Sequence, residues 1–215
     1  MRTIVTEEAV RAAARRGEAV RVGPEDAVAP SARRLAERLG VVIERADAPR
    51  AVAPDARVVA LGADHGGYLL KEELKPFLAG LGYAVRDVGC HSTEPVDYPD
   101  YARAVALEVA RGAAWRGIMV DGAGIGSAMV ANKVPGVRAS LCYDVSSARN
   151  AREHNDANVL TLGAGLVGTV LARQVVETWL GTAFAGGRHA RRVEKINALD
   201  AGKVLSGIDF RAVPR

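Results

Sequence analysis

Short apolar runs alternate with longer amphipathic segments along most of this chain, from about residue 57 to residue 200. The runs are rich in Val, Leu, Ile and Ala, which is typical of buried strands. Strands are predicted at 58–61, 84–88, 117–120, 138–141 and 159–162, and helices at about 67–81, 99–111, 125–132, 145–153, 168–180 and 189–199. This alternation predicts an α/β domain, in which helices cover both faces of a five-stranded parallel sheet.

The first 45 residues carry a shorter pattern of the same kind. A helix is predicted to open at Thr6, and another at 30–40, where Pro30 stands near the start and Gly40 at the end. Residues 20–22 and 41–43 are predicted as short strands. Two prolines and several alanines without periodicity then predict a linker. We therefore divide the chain into an extension (1–45), a linker (46–56), a main domain (57–205) and a tail (206–215).

Composition and charge limit the classes of protein to which this chain can belong. Hydrophobic residues make up 49% of the chain and charged residues 25%, as in ordinary globular proteins. The net charge of +4 comes from arginines interleaved with acids, so we expect solvated faces and no nucleic-acid partner. Two cysteines without metal or redox spacing favour a cytoplasmic protein with reduced thiols. The start lacks a secretory signal, and no apolar run is long enough to span a membrane.

Asp121 is the first residue to suspect of chemistry. It ends the apolar run 117–120, and a loop with glycines at 122, 124 and 126 follows before a predicted helix. Ligands of open α/β sheets bind at this place, and N–H groups at a helix start can stabilise an oxyanion. The spacing is not that of a dinucleotide fingerprint. The alternative is a tight turn with Asp121 as a helix cap.

Three further polar segments follow the ends of predicted elements. Gly62 to Gly67 contains an Asp-His pair after the first strand of the main domain, although the Asp alone would serve as a helix cap. Residues 154–158 (His-Asn-Asp-Ala-Asn) bring an imidazole that titrates near neutral pH, although a polar turn explains Asp156 and Asn158. Arg188 and Arg192 share one helix face and suit a phosphate, or else a solvated basic helix start.

Together these segments resemble the type B ribose-5-phosphate isomerases, within the ribose/galactose sugar-phosphate isomerase family. The resemblance covers about residues 57–200, and the matching stretches are 62–67, 97–102, 122–126 with 131–133, 154–160 and 187–193. It implies a Rossmann-like three-layer sandwich and a metal-free, cofactor-free interconversion of ribose 5-phosphate and ribulose 5-phosphate through an enediol. It also implies a homodimer, or a tetramer formed by two such dimers, with active sites shared between subunits.

The resemblance also implies a role for individual residues. Asp121 would be the base, although many members of the family carry a cysteine there, and His154 would assist ring opening. The residues expected to bind substrate are Asp64, His65, Tyr98, Gly122, Ala123, Gly124, Gly126, Asn155, Arg188 and Arg192. The family commonly has a phosphate-binding arginine at the position of Gly165, so Arg149, Arg152 or a neighbouring arginine is expected to replace it, or the substrate differs.

Two alternatives to this activity stay open: an isomerase of another aldose phosphate, such as a hexose 6-phosphate, and a sugar-phosphate-binding homologue without catalysis. Residues 1–55 lie outside the resemblance. Their start and the segment 29–40 are similar to appendages on some bacterial microcompartment enzymes. We therefore expect the extension either to direct packaging with shell or cargo proteins, inside a microcompartment of the cytoplasm, or to stabilise the oligomer.

Overall fold

The structure, a computed structural model, describes residues 4–16, 19–22, 27–45 and 58–200. The chain divides into two compact units, with the boundary between Ala51 and Val52. The predicted linker (46–56) and tail (206–215) lie outside the described residues, so the four-part division of the chain stays a prediction.

The N-terminal unit repeats a strand–helix–strand arrangement. Its elements are β1 (Ile4–Val5), α1 (Glu7–Arg16), β2 (Val20–Val22), β3 (Ala27–Val28), α2 (Pro30–Leu39) and β4 (Ile43–Arg45). β1 pairs in parallel with β3, and β2 with β4. Val10 and Leu35, one from each helix, are buried in a small apolar core. This unit therefore has a hydrophobic core of its own.

The last strand of this unit begins later than the prediction of 41–43. Gly40 has a φ of 65° and ends α2, and the Val41 N–H then donates to the Ala36 carbonyl at 2.9 Å. Because Val41 completes the helix end in this way, pairing with β2 starts only at Ile43. The predictions also missed β1 and β3, which are two residues long and too short for a periodic signal.

The main unit is the predicted parallel α/β sheet. Its strands are β5 (Val58–Ala63), β6 (Ala84–Asp87), β7 (Arg116–Asp121), β8 (Ala139–Leu141) and β9 (Val159–Gly163). Its helices are α3 (Tyr68–Gly80), α4 (Tyr98–Ala110), α5 (Ile125–Ala131), α6 (Val145–Glu153), α7 (Thr169–Gly181) and α8 (Arg188–Asp200). All strand pairs are parallel, in the order β6-β5-β7-β9-β8. The Rossmann-like prediction is confirmed, with boundaries shifted by one or two residues.

Two apolar cores cover the two faces of this sheet. Leu61, Ile118 and Leu160 point to the core formed with α3, α6 and α7, whereas Ala60 and Met119 point to the core formed with α4 and α5. Consecutive strand residues alternate between the two cores because side chains of a strand alternate in direction. Among the described helices, none is long and apolar enough to cross a membrane.

Candidate active site

The direction in which successive strands are added across the sheet reverses between β5 and β7, although all strands run parallel. From β5 the chain passes to β6 on one side and then to β7 on the other. Ligands of doubly wound sheets bind in the crevice at such a switch point, at the carboxyl ends of the strands. Asp64 directly follows β5, and Asp121 is the last residue of β7. Both acids that the sequence singled out therefore stand at this point, and both are buried.

The backbone around the two acids is close-packed. The Asp64 N–H donates to the Val120 carbonyl at 3.2 Å, and a Cβ on Gly67 would lie 2.1 Å from the same carbonyl oxygen. On the next strand, a Cβ on Gly163 would lie 2.6 Å from the Ala123 carbonyl. These positions need glycine because the loops touch through backbone atoms. The glycines therefore bring the two loops and their polar groups together.

The Asp121 carboxylate points back into its own loop and is 5% exposed. Oδ1 accepts from the N–H of Ala123 at 2.8 Å and from the N–H of Gly124. Oδ2 accepts from the N–H of Ser127 at 3.3 Å and from the Ser127 hydroxyl. Each oxygen thus has two donors and stands where helix α5 begins, an arrangement that stabilises negative charge.

In this geometry the Asp121 carboxylate itself occupies the predicted anion hole. The N–H groups of Ala123 and Gly124, expected to bind a substrate oxyanion, donate to Asp121 instead. The alternative interpretation of Asp121, as the cap of a tight turn before the helix, therefore agrees with the structure of this loop. A substrate oxygen can use these two N–H groups only after the carboxylate has moved away from them. Among the described residues, Ser127, which the sequence did not single out, is the one side chain that donates to the carboxylate.

His65 and Tyr98 lie at the same edge of the sheet. The His65 imidazole is exposed, and its Nδ1 lies 3.2 Å from the carbonyl oxygen of Val96. The Tyr98 ring packs on the glycine loop, since a Cβ on Gly126 would lie 2.5 Å from the ring. Asp64 also closes the turn before α3, because its Oδ1 accepts from the Gly67 N–H at 2.9 Å. We call Asp64, His65, Tyr98, Asp121 and the loop 122–126 the carboxyl-edge group.

The remaining predicted residues lie at the opposite edge of the sheet. Helix α6 starts after the carboxyl end of β8 and returns to the amino-terminal edge, where His154 caps it before β9 begins. Helix α8 lies along that edge: the Ala185 N–H donates to the Glu153 carbonyl, and the Asp200 carboxylate accepts from the Gly136 N–H. We call His154, Asn155, Arg188 and Arg192 the amino-edge group. Within one chain, the two groups of predicted site residues therefore lie at opposite edges of the sheet.

His154 is surrounded by polar and aromatic groups. Asn150, one turn earlier on α6, places its Nδ2 2.8 Å from His154 Nδ1. The His189 ring stacks on the His154 ring, with centroids 4.2 Å apart and planes 1° from parallel. Burial lowers the pKa of His189, and the neighbouring groups His154, Arg188 and Arg192 lower it further. Asn150 and His189 were missed, although Asn150 is four residues from His154 and on the same helix face.

The other polar residues near His154 support the fold. Asp156 accepts from Arg138 and Arg152, and Asn158 accepts from the Arg138 N–H at 2.7 Å. The polar-turn interpretation of Asp156 and Asn158 therefore describes both. Arg152 is 5% exposed and donates to Asp156 and to the Ala157 carbonyl. Because Arg152 is buried and its Nη1 already donates to protein oxygens, Arg149 or another arginine is the better candidate to replace the phosphate-binding arginine, which stays a prediction.

Arg149, Arg188 and Arg192 are exposed. Since α8 is helical from Arg188, the prediction that Arg188 and Arg192 share one face is confirmed. Arg149 lines a cavity of about 240 Å³ along α6 together with Asn150 and Glu153. Among the described residues, no cluster of three or more His, Cys, Asp or Glu side chains is arranged to hold a metal ion.

The fold defines a doubly wound α/β protein, and the candidate site lies at its topological switch point. The sequence profile of the ribose/galactose isomerase family matches residues 59–196, and the chain belongs to this family. The N-terminal unit lies outside the matched residues.

Known relatives agree with this assignment. The chain is 46% identical over 142 residues to ribose-5-phosphate isomerase B of Escherichia coli, covering 66% of this chain and 95% of the relative. It is 42% identical over 139 residues to the D-erythrulose-4-phosphate isomerase of Pectobacterium atrosepticum, covering 64% and 91%. The structure of Clostridium thermocellum ribose-5-phosphate isomerase B matches with a TM-score of 0.67 and 50% identity, covering 67% of this chain and 98% of that one.

Proposed function

We propose that this protein is an aldose–ketose isomerase that interconverts D-ribose 5-phosphate and D-ribulose 5-phosphate, with Asp121 as the base. Family membership and the similarity to two ribose-5-phosphate isomerases B support the reaction. The observation that carries the residue assignment is the buried Asp121 carboxylate at the switch point, beside a cluster of N–H groups. An enediol mechanism needs one base and a stabiliser for the enediolate oxygen, and this loop contains both.

In the proposed reaction Asp121 takes a proton from C2 of the open-chain aldose and returns it to C1. The Asp121 carboxylate first leaves the N–H groups of Ala123 and Gly124, which then donate to the enediolate oxygen. The N–H and hydroxyl of Ser127 continue to hold Oδ2. Asp64, His65 and Tyr98 contact the sugar.

The amino-edge group completes this site from a second copy of the chain. His154 assists ring opening with Asn155 beside it, and Arg188 and Arg192 hold the phosphate. The separation of the two groups at opposite edges of one sheet supports a homodimer with two shared sites. In such a symmetric dimer each subunit gives its carboxyl edge to one site and its amino edge to the other.

The base assignment is tested by Asp121→Asn. The amide oxygen can keep the N–H bonds of Ala123 and Gly124, and the amide nitrogen can donate to the Ser127 hydroxyl, so the loop keeps most of its contacts. We expect turnover of ribose 5-phosphate, measured without added metal, to fall by about 10²–10⁴-fold with a folded protein by circular dichroism. Near-full turnover would exclude Asp121 as the base.

The shared site is tested by mixing two inactive variants, Asp121→Asn and His154→Asn. After subunit exchange, half of a random population is mixed dimers, and each mixed dimer has one intact site. Activity should therefore recover to about a quarter of the wild-type value. If each site belonged to one chain, the mixture would stay as inactive as its components.

A second substrate is favoured by one relative. The Pectobacterium protein carries the name D-erythrulose-4-phosphate isomerase, so a tetrose 4-phosphate joins the hexose 6-phosphates as an alternative. Assays with tetrose, pentose and hexose phosphates, compared by kcat/KM, distinguish these substrates. Tight binding of ribose 5-phosphate without any ketose product would instead favour a non-catalytic homologue.

For the N-terminal unit we propose a role in assembly, either packaging with microcompartment shell or cargo proteins or stabilising the oligomer. Its separate core and its position outside the family match support a role apart from catalysis. A variant lacking residues 1–55 should keep its isomerase kinetics. Unchanged co-assembly with shell proteins would exclude packaging, and an unchanged mass in solution would exclude the oligomer role.

A further inference from the structure

The side chain of Asn150 decides which nitrogen of His154 carries a proton. Its Nδ2 is 2.8 Å from His154 Nδ1, a hydrogen-bond distance. An amide nitrogen donates and does not accept. If the contact is made by the amide nitrogen, Nδ1 of His154 must therefore accept, and the ring proton is on Nε2.

The orientation of the Asn150 amide follows from its neighbours. Asn155 Nδ2 lies 3.3 Å from the backbone carbonyl oxygen of Asn150, which can only accept, so this atom of Asn155 is the donor nitrogen. The same nitrogen lies 3.4 Å from Oδ1 of Asn150, which must then be the oxygen. The other terminal atom of Asn150, facing His154, is therefore nitrogen. The backbone carbonyl of Asn150 thus fixes the direction of the hydrogen bonds from Asn155 to Asn150 and from Asn150 to His154.

Other charged groups around His154 act in the same direction. Glu153 Oε1 lies 3.8 Å from Nε2 and favours a proton on that nitrogen. On α8, the His189 ring covers one face of His154, and Arg188 Nε lies 3.4 Å from His189 Nε2. The positive charges of Arg188 and Arg192 lower the pKa of His189. The position of Glu153 therefore agrees with a proton on Nε2 of His154.

We propose that Asn150 is a positioning residue that holds His154 as a neutral imidazole with its proton on Nε2. His154 then offers a hydrogen-bond donor to the substrate, and its only lone pair is engaged by Asn150. As the ring opens, the proton of the C1 hydroxyl passes through water to the ring oxygen, while the Nε2–H of His154 donates a hydrogen bond to that oxygen and keeps its own proton. Neutral imidazoles act as such donors in other isomerases. The kinetic part of this inference rests on the proposed function, whereas the tautomer does not.

The tautomer is tested by ¹⁵N NMR of the histidine rings in the full-length protein, with His154 assigned through a His154→Gln variant. We expect a protonated Nε2 and an unprotonated Nδ1 at neutral pH. Asn150→Leu removes the donor and should give a mixture of the two neutral tautomers. Asn150→Asp has the same shape but only acceptors, so it should place a proton on Nδ1. A wild-type ring protonated on Nδ1, or one unchanged in both variants, would overturn the proposal.

Kinetics of the same variants test the consequence for catalysis. Losing a correctly placed donor in Asn150→Asp should lower kcat for ribose 5-phosphate by about tenfold. A tetrose 4-phosphate has no free hydroxyl that closes a five-membered ring, so its turnover should be unchanged. Equal losses for both sugars would refute the ring-opening role. If wild type isomerises neither sugar, the proposed function fails while the NMR result still decides the tautomer.

Discussion

Removal of the Ser127 hydroxyl would take one hydrogen bond from the buried Asp121 carboxylate and lower the stability of the fold, without leaving a large cavity. Ser127 is fully buried, and its hydroxyl donates to Oδ2 of Asp121. A hydrogen bond to a charged group contributes about 1.5–3 kcal/mol to stability. In Ser127→Ala the carboxylate keeps three backbone donors, so we expect a loss of about 2 kcal/mol. For a protein of this length that corresponds to a decrease in Tm of about 4–8 °C.

Thermal denaturation followed by circular dichroism measures this loss, with Ser140→Ala as the matched control. Ser140 lies in β8, and its hydroxyl oxygen is 3.7 Å from the Cys142 sulfur, an uncharged partner. If both serine variants have the same Tm at neutral pH, Ser127 does not stabilise the carboxylate and the described geometry is wrong.

Two other substitutions test the packing and the electrostatics of the main domain. Gly67→Ala places a methyl group 2.1 Å from the Val120 carbonyl oxygen and should cost about 1–3 kcal/mol in urea denaturation. Its control, Gly80→Ala, meets nothing within 4 Å and should stabilise α3 by about 0.5–1 kcal/mol. Burial lowers the pKa of His189 in the folded protein below its ordinary value of 6.5. As the pH falls, the unfolded chain therefore binds a proton on this histidine before the folded protein does, and the stability of the fold decreases below that value. In His189→Gln the decrease in Tm between pH 7 and pH 5 should therefore be smaller; an equal decrease would contradict the shift.

The alternation of apolar runs and amphipathic helices determined the class of fold. Asp121 was recognisable as a site residue because an acid that ends a buried strand before a glycine-rich loop stands where such sheets bind ligands. The helical spacing of Arg188 and Arg192 likewise followed from sequence. These features depend on local periodicity and on the rules of parallel sheets, so the order of residues is sufficient to predict them.

Side-chain direction and long-range packing were decided only by the tertiary structure. The sequence placed Asp121 beside N–H groups, but the folded loop directs those N–H groups at Asp121 itself. The resemblance made Arg152 one candidate for the missing phosphate-binding arginine, yet the fold buries it against Asp156 and the Ala157 carbonyl.

The sequence by itself thus determined the sheet, its site-bearing edge and the family motifs. The tertiary structure decided that Asp121 and His154 stand at opposite edges within one chain. The physical reason is that each helix returns antiparallel to the strands it connects, so a residue at the end of α6 is carried a full helix length away from the carboxyl edge.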